Sequence, residues 1–264
     1  VCTLINLEIM LFNETIFGPI HSRRLGASLG VNLLPVNAKI CSFDCIYCEC
    51  GFNFTHEGAH IPTRLEVATL LEEKLKDLQA KGEPLDVITF AGNGEPTLHR
   101  DFNAIIDDTI RLRDCYFPKA KVSVLSNATR IHKPKVREAL LKVDNNILKL
   151  DSAISATAKL INQPNNPTFS IDETIAQLEA FNGKLIIQTL FFTGDYKGQH
   201  IDNTTEIEVV AWLEALKRIR PQQVMIYSLD RATPAQNLHK ADSETLSTIA
   251  KRVEALGIET QVTF

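Results

Sequence analysis

Four of the six cysteines in this chain fall in one stretch of ten residues, CSFDCIYCEC at 41–50. Thiols gathered so densely can form a disulfide staple, a zinc site or an iron–sulfur cluster. Disulfide scaffolds are usually small and secreted. This chain has 264 residues, and its other cysteines, Cys2 and Cys115, lie far from the group. In a reducing setting, clustered thiols read as metal ligands.

Cys41, Cys45 and Cys48 have the spacing C-x3-C-x2-C, with Cys50 two residues further on. Structural zinc sites take four ligands, commonly from two well-separated pairs. Here there is one compact group, although His56 and His60 follow closely and could complete a Cys/His site. An iron–sulfur cube is normally held by four thiolates. Three on one loop leave one iron without a protein ligand, and an open position is how a metal site engages a substrate. A loop already bent around a cube would have to turn sharply to present both Cys48 and Cys50. Cys50 is therefore expected beside the cluster, and Cys115, in a helical pattern, as a small buried hydrophobe.

The elements that must position these thiols alternate. Strand-like apolar runs at 27–35, 85–92, 121–127, 146–152, 184–192 and 223–230 alternate with helical patterns at 63–82, 101–117, 133–143, 171–183, 204–220 and 242–257, and 258–264 can add a last strand. In the first helix the apolar residues at helical spacing are Leu65, Ala68, Leu71, Leu75 and Leu78. Near-continuous apolar strands alternating with helices predict a parallel sheet with covering helices. The fold class is α/β, a partial (β/α)6 barrel, expected as one domain over 27–264 behind an N-terminal extension at 1–26. Met10 opens MLFNETIFGP in the manner of a natural start, which would leave 1–9 non-native.

In such folds the site lies beyond the C-terminal ends of the strands. The cysteine loop follows the first strand and GNGEPT (92–97) the second. Ser126 and Asn127 close the third, Lys149 and Asp151 the fourth; Gln188 falls in the fifth and Tyr227 in the sixth. A strand-end Asn or Asp often only makes a turn. Lys149 in an apolar strand is unusual for a residue rarely buried unpaired; an ion pair with Asp151 or carboxylate binding would account for it.

The C-x3-C-x-φ-C spacing with Tyr47 at φ, followed by Asn93-Gly94-Glu95 after the second strand, resembles the radical S-adenosylmethionine (SAM) superfamily. The first Gly of that family's Gly-Gly-Glu motif is Asn93 here. The resemblance implies a [4Fe–4S] cluster on Cys41, Cys45 and Cys48, with SAM on the free iron, cleaved by one electron to a 5′-deoxyadenosyl radical that abstracts hydrogen from a substrate. It also implies that Tyr47 lies near the adenine and that Gly94 lets the backbone approach the methionyl ammonium. Glu95 would accept hydrogen bonds from that cation. Ser126, Asn127, Lys149, Asp151 and Gln188 would contact ribose, carboxylate or substrate, and Tyr227 the adenine.

The stretches at 17–35, 126–151 and 218–238 are similar to a narrower radical SAM group, annotated by kinship to the wyosine tRNA-modifying synthase. His21, Arg23 and Arg24 are its candidate substrate contacts here, since paired arginines suit carboxylate or phosphate; a solvated basic turn is the other reading. The tRNA enzyme is expected to carry a second cluster, for which only Cys2 lies upstream of Cys41, and the formal net charge of -4 does not favour a general nucleic-acid binder. A small-molecule or peptide substrate therefore ranks above tRNA, with a one-electron donor of flavodoxin or ferredoxin type. No run of eighteen apolar residues predicts a membrane span and no basic leader predicts export, so a cytoplasmic location is expected. A non-catalytic iron–sulfur or zinc-binding protein is the competing reading. The polar loops at 163–169 and 230–238 are further candidates for substrate or lid segments.

Overall fold

The computed structural model describes residues 10–22 and 26–264. Its elements, in chain order, are β1 (Ile16–Ser22), β2 (Gly26–Val31), α1 (Arg64–Lys81), β3 (Val87–Phe90), α2 (Phe102–Tyr116), β4 (Lys121–Ser126), α3 (Pro134–Lys142), β5 (Asn145–Lys149), α4 (Ser155–Asn162), α5 (Ile171–Glu179), β6 (Ile186–Leu190), β7 (Phe192–Tyr196), β8 (Gln199–Asp202), α6 (Glu206–Ile219), β9 (Gln223–Tyr227), β10 (Leu238–Lys240), α7 (Ser243–Glu254) and β11 (Glu259–Thr263). The main sheet runs β1-β2-β3-β4-β5-β6-β9-β11. From β2 onward every neighbouring pair is parallel, and β1 adds an antiparallel edge. This is the expected partial barrel, left open between β1 and β11. β1 lies within the stretch read from sequence as an extension, and its pairing to β2 makes it part of the sheet.

Side chains alternate across the sheet, as strand geometry requires. Leu29, Val31, Ile88, Phe90, Val122, Val124, Leu148, Ile187, Val224 and Ile226 face the helices in the main core. Ile147, Ile186 and Met225 pack together on the inner face. There the Ser28 and Thr89 hydroxyls bond each other at 2.8 Å.

α1 shows how the helices are set. Thr63 caps it in a capping box with Glu66, and Gly82 closes it in the left-handed region. Val67, Leu71, Leu75 and Leu78 are its buried stripe, each contributing roughly 1.5–3 kcal/mol when fully buried. Leu65 is outside that stripe and exposed. In α2 the stripe is Phe102, Ile105, Ile106, Thr109 and Leu112. Cys115 falls off it and is exposed, contrary to the expectation of a buried thiol.

Two features were not expected. The β7–β8 hairpin and β10 form a small second sheet, turning at Lys197 and Gly198, both at positive φ. That is the backbone of a tight primed turn, for which Lys-Gly is a weaker signal than Asn-Gly. The other is α4, only eight residues long, whose C-terminal end meets the cysteine loop.

Candidate functional site

The loop from Lys39 to Phe54 is pinned at both ends. Lys39 and Phe54 exchange backbone hydrogen bonds of 3.0 and 3.2 Å. Ile40 N donates to Asn93 O at 3.0 Å, and Glu95 N donates back to Ile40 O at 3.2 Å. The approach to the first cysteine is thereby bonded to the turn after β3.

α4 holds the next part. Asp44 N donates to Asn162 O at 2.9 Å and Ile46 N to Ile161 O at 3.0 Å. These are the orphan carbonyls of a helix C-terminus, here used to orient a ligand-bearing loop. Asn53 accepts from Cys41 N at 2.7 Å and donates to Cys41 O and Phe43 O. Asn165, in the 163–169 loop, donates to Cys41 O at 2.9 Å. Lys39, Asn53, Asn162 and Asn165 were not singled out from sequence. Lysine in the apolar run before Cys41 was the one available signal.

The thiols are supplied with polar neighbours. Asn127 Nδ2 donates to Cys41 Sγ at 3.4 Å, and Cys45 Sγ lies 3.5 Å from Asn162 Oδ1. Cys50 Sγ donates to Gly92 O at 3.5 Å. Burial pushes the Cys41 thiol up to about 12 and Cys45 up to about 11. Cys48 is drawn down to about 6, chiefly by the neighbouring Cys50 thiol, with Lys39 adding to it against burial. The two histidines are engaged elsewhere: His56 with the Glu57 and Asn37 carbonyls, His60 with Glu66. Among the described residues no three His, Cys, Asp or Glu side chains converge on a single-ion position. Soft sulfur ligands with amide and ammonium neighbours are the donor set an iron–sulfur cluster takes.

The turn after β3 gives Asn93, Gly94 and Glu95 definite work. Asn93 is buried; its Oδ1 accepts from Phe12 N, and its Nδ2 donates to Phe12 O and Pro35 O, all at 2.9 Å. The departure from the motif's Gly is thus a side chain that bonds Phe12 and Pro35 to the turn after β3. Asn93→Ala is expected to cost about 2–3 kcal/mol in urea unfolding, because it strands these groups. Gly at 93 restores the motif but not the loss; a cost near zero would mean that Asn93 pins nothing.

Gly94 is at φ +138°, and a Cβ there would lie 1.8 Å from Ile40 O. The close approach that demands glycine is made by the chain's own carbonyl. Glu95 Oε1 accepts from Thr97 N at 3.1 Å, Thr97 Oγ1 at 2.5 Å and Ser126 Oγ at 2.8 Å, and Oε2 from Asn127 N at 2.7 Å. Burial raises its carboxyl above the usual value against the pull of these donors. These protein donors tie β3 to β4 through the Glu95 carboxylate.

Ser126 follows Val122 and Val124 in parity, on the helix-facing side, and serves Glu95. Asn127 takes the inner parity and reaches Cys41 and Ser42.

At the end of β5, Lys149 Nζ lies 2.7 Å from Asp151 Oδ2 and 4.2 Å from the Tyr47 ring centroid. Tyr47 Oη donates to the same Asp151 oxygen at 2.6 Å, and Leu190 N to Oδ1 at 3.2 Å. The ion pair raised as one explanation for Lys149 is present. Burial opposes the ammonium, but Asp151 prevails and holds Lys149 above its usual value. Tyr47, expected near a nucleobase, spends its hydroxyl on Asp151 and its ring on Lys149.

Gln188, paired in register with Lys149 and Met225, lines a cavity of about 160 Å³ in the bore, with Phe12, Phe17, Leu125 and Ile147 among its other walls. Tyr227 ends β9, and its carbonyl accepts from Phe191 N at 2.9 Å. Asn32 Nδ2, beside the 92–94 turn, is buried with no acceptor among the described residues. His21 is exposed on β1, away from this group, and Arg23 and Arg24 lie outside the described residues.

A sequence profile of the radical SAM superfamily matches residues 38–194, more than half of the chain. The chain belongs to the radical SAM superfamily. The cofactors of that superfamily, a [4Fe–4S] cluster and SAM, are those of this chain.

The chain is 31% identical over 212 residues to a UPF0026 protein of Methanocaldococcus jannaschii, covering 78% of this chain and 61% of that one. It is 29% identical over 249 residues to a Brachyspira hyodysenteriae protein named GTPase Obg, covering 93% of this chain and 34% of that one. It thus spans less than two thirds of either relative. Among solved structures, a radical SAM methyltransferase from Sphaerobacter thermophilus superposes with TM-score 0.65 at 15% identity, covering 89% of this chain and 65% of that one. The structure of TYW1 with a lysine-pyruvate adduct gives 0.56 at 13% identity, covering 86% of this chain and 73% of that one. At these identities the likeness is one of fold.

Proposed function

We propose that Cys41, Cys45 and Cys48 hold the cluster of a radical SAM enzyme acting on a small molecule or peptide. When bound, the cluster and SAM supply a 5′-deoxyadenosyl radical by one-electron reductive cleavage. The observation that carries this reading is the three-thiol loop that follows β2 beside the turn after β3, with Cys50 Sγ directed at Gly92 O. The inner strand ends supply the rest. Asn127, Lys149, Gln188 and Tyr227 are the proposed contacts to SAM, and the unpaired Asn32 amide is a donor that a ligand carboxylate or carbonyl would satisfy. Tyr47, Asp151, Asn93, Gly94, Glu95 and Ser126 shape the site through the bonds described above. His21, Arg23 and Arg24 remain candidates for substrate contact only.

A small molecule or a peptide is the proposed substrate, ahead of tRNA, because the formal net charge of -4 does not favour a general nucleic-acid binder. A flavodoxin- or ferredoxin-type donor is proposed to deliver the electron. The cytoplasm is the proposed compartment, since it keeps thiols reduced. Among the described residues no helix is long and apolar enough to cross a membrane.

The test is anaerobic reconstitution, reduction, addition of SAM and measurement of 5′-deoxyadenosine. Wild type is expected to form it. Cys48→Ala should lose at least about a hundredfold as a ligand is removed, and Cys50→Ala no more than about tenfold as a neighbour of one. No product from wild type, with a reduced-cluster EPR signal indifferent to SAM, would favour the non-catalytic metalloprotein. Equal loss in the two variants would make Cys50 a ligand.

A further inference from the structure

Lys39 is among the largest fully buried side chains of the protein. Its ammonium is enclosed by the cysteine loop itself. Nζ donates to Gly51 O and lies 3.8 Å from Asp44 Oδ1. Its backbone is fixed on both sides through Phe54, and Gly51 is tied by its own N–H to Cys48 O at 2.8 Å. Gly51, the acceptor, closes the turn that follows Cys48, so the ammonium sits inside the loop that carries all three thiols.

Lysine is almost never fully buried unless paired. Asp44 is a poor match for this one, because 3.8 Å is long for a contact pair and the carboxylate is 29% exposed. The same Asp44 oxygen also accepts from Asn53 N, at 2.5 Å. Among the described residues Asp44 is its one ion-pair partner, and the thiolates of the enclosing loop, with what they carry, would supply further negative charge beside it. A cluster held by three thiolates gains a further negative charge on reduction. A fixed cation close by, screened little by water, favours that reduced form.

We infer that Lys39 is a positioning residue for the cluster: a cation built into the loop to compensate the cluster's charge and raise its reduction potential. This rests on the cluster reading above. None of Asn93, Gly94 and Glu95 carries a positive charge, and the segment that carries Lys39 also bridges the cluster loop to the Gly94 turn.

The experiment compares wild type with Lys39→Met, Lys39→Gln and Lys39→Arg after anaerobic reconstitution. Iron and sulfide are counted, and the reduced cluster is titrated by EPR against solution potential without SAM. Gln keeps a donor for Gly51 O and removes only the charge. At the potential that half-reduces wild type, the reduced-to-oxidised ratio of the neutral variants is expected to fall about tenfold, equal to a shift of about 59 mV for one electron. Arg should stay near wild type. Loss of the cluster from both neutral variants, with Arg still loaded, would equally show that the charge is required. Neutral variants that load fully at the wild-type potential would overturn the proposal, as would loss of the cluster from all three. Failure of wild type itself to take up iron and sulfide would instead count against the cluster reading.

Discussion

Gly94→Ala is expected to lose about 4 kcal/mol or more of stability and to bind little iron on reconstitution. Two penalties coincide at this position. The backbone is at φ +138°, which L side chains rarely adopt, and a Cβ would lie 1.8 Å from the Ile40 carbonyl oxygen. That oxygen cannot swing aside as a flexible side chain could. It accepts from Glu95 N, while Ile40 N donates to Asn93 O. Relieving the clash therefore means breaking the bridge between the cysteine loop and the turn after β3, and Cys41 is the residue after Ile40. Urea unfolding and iron content measure the two halves of the prediction. A soluble Gly94→Ala protein within about 1 kcal/mol of wild type would show that the Ile40 contact does not dictate the glycine.

Lys149→Met is expected to cost about 3–5 kcal/mol, the usual result of leaving a buried charge without its partner. Asp151 is almost fully buried, and Lys149 is its one cation at contact distance among the described residues. Tyr47 Oη and Leu190 N would remain as neutral donors to the carboxylate. Asp151→Asn in the Lys149→Met background should recover part of the loss, because an amide does not need the cation. A double-mutant cycle reads the coupling directly. Additive effects would mean that the 2.7 Å pair contributes nothing beyond its separate hydrogen bonds. The same cycle bears on the site, since Tyr47 belongs to the cysteine loop and the ion pair closes β5.

Much of this protein was legible as a line of letters. The spacing of Cys41, Cys45 and Cys48 is a local property, and so is the alternation of apolar runs with helical patterns. From these follow the partial barrel and the end of it at which the chemistry belongs. The motif at Asn93-Gly94-Glu95 was found at its expected strand end, as were Lys149 and Asp151. What the structure adds is the protein partners of these residues. Gly94 packs against the Ile40 carbonyl, and Glu95 accepts from donors at the 97 and 126–127 positions. Tyr47 donates to Asp151, 104 residues away.

The sequence by itself determined the cysteine spacing, the class of fold and the side of the sheet on which the cysteine loop sits. Each is written in neighbouring residues, through covalent spacing and the periods of helix and strand. Tertiary structure alone decided what holds the cysteine loop in shape. Asn93 bonds Phe12 across 81 residues, Asn127 reaches Cys41 across 86, and Cys45 meets Asn162 across 117. It also buried Lys39 inside the loop and brought the end of a short, weakly signalled helix under it. Such contacts join side chains through space, and no local pattern records which distant partner will satisfy a buried donor or charge.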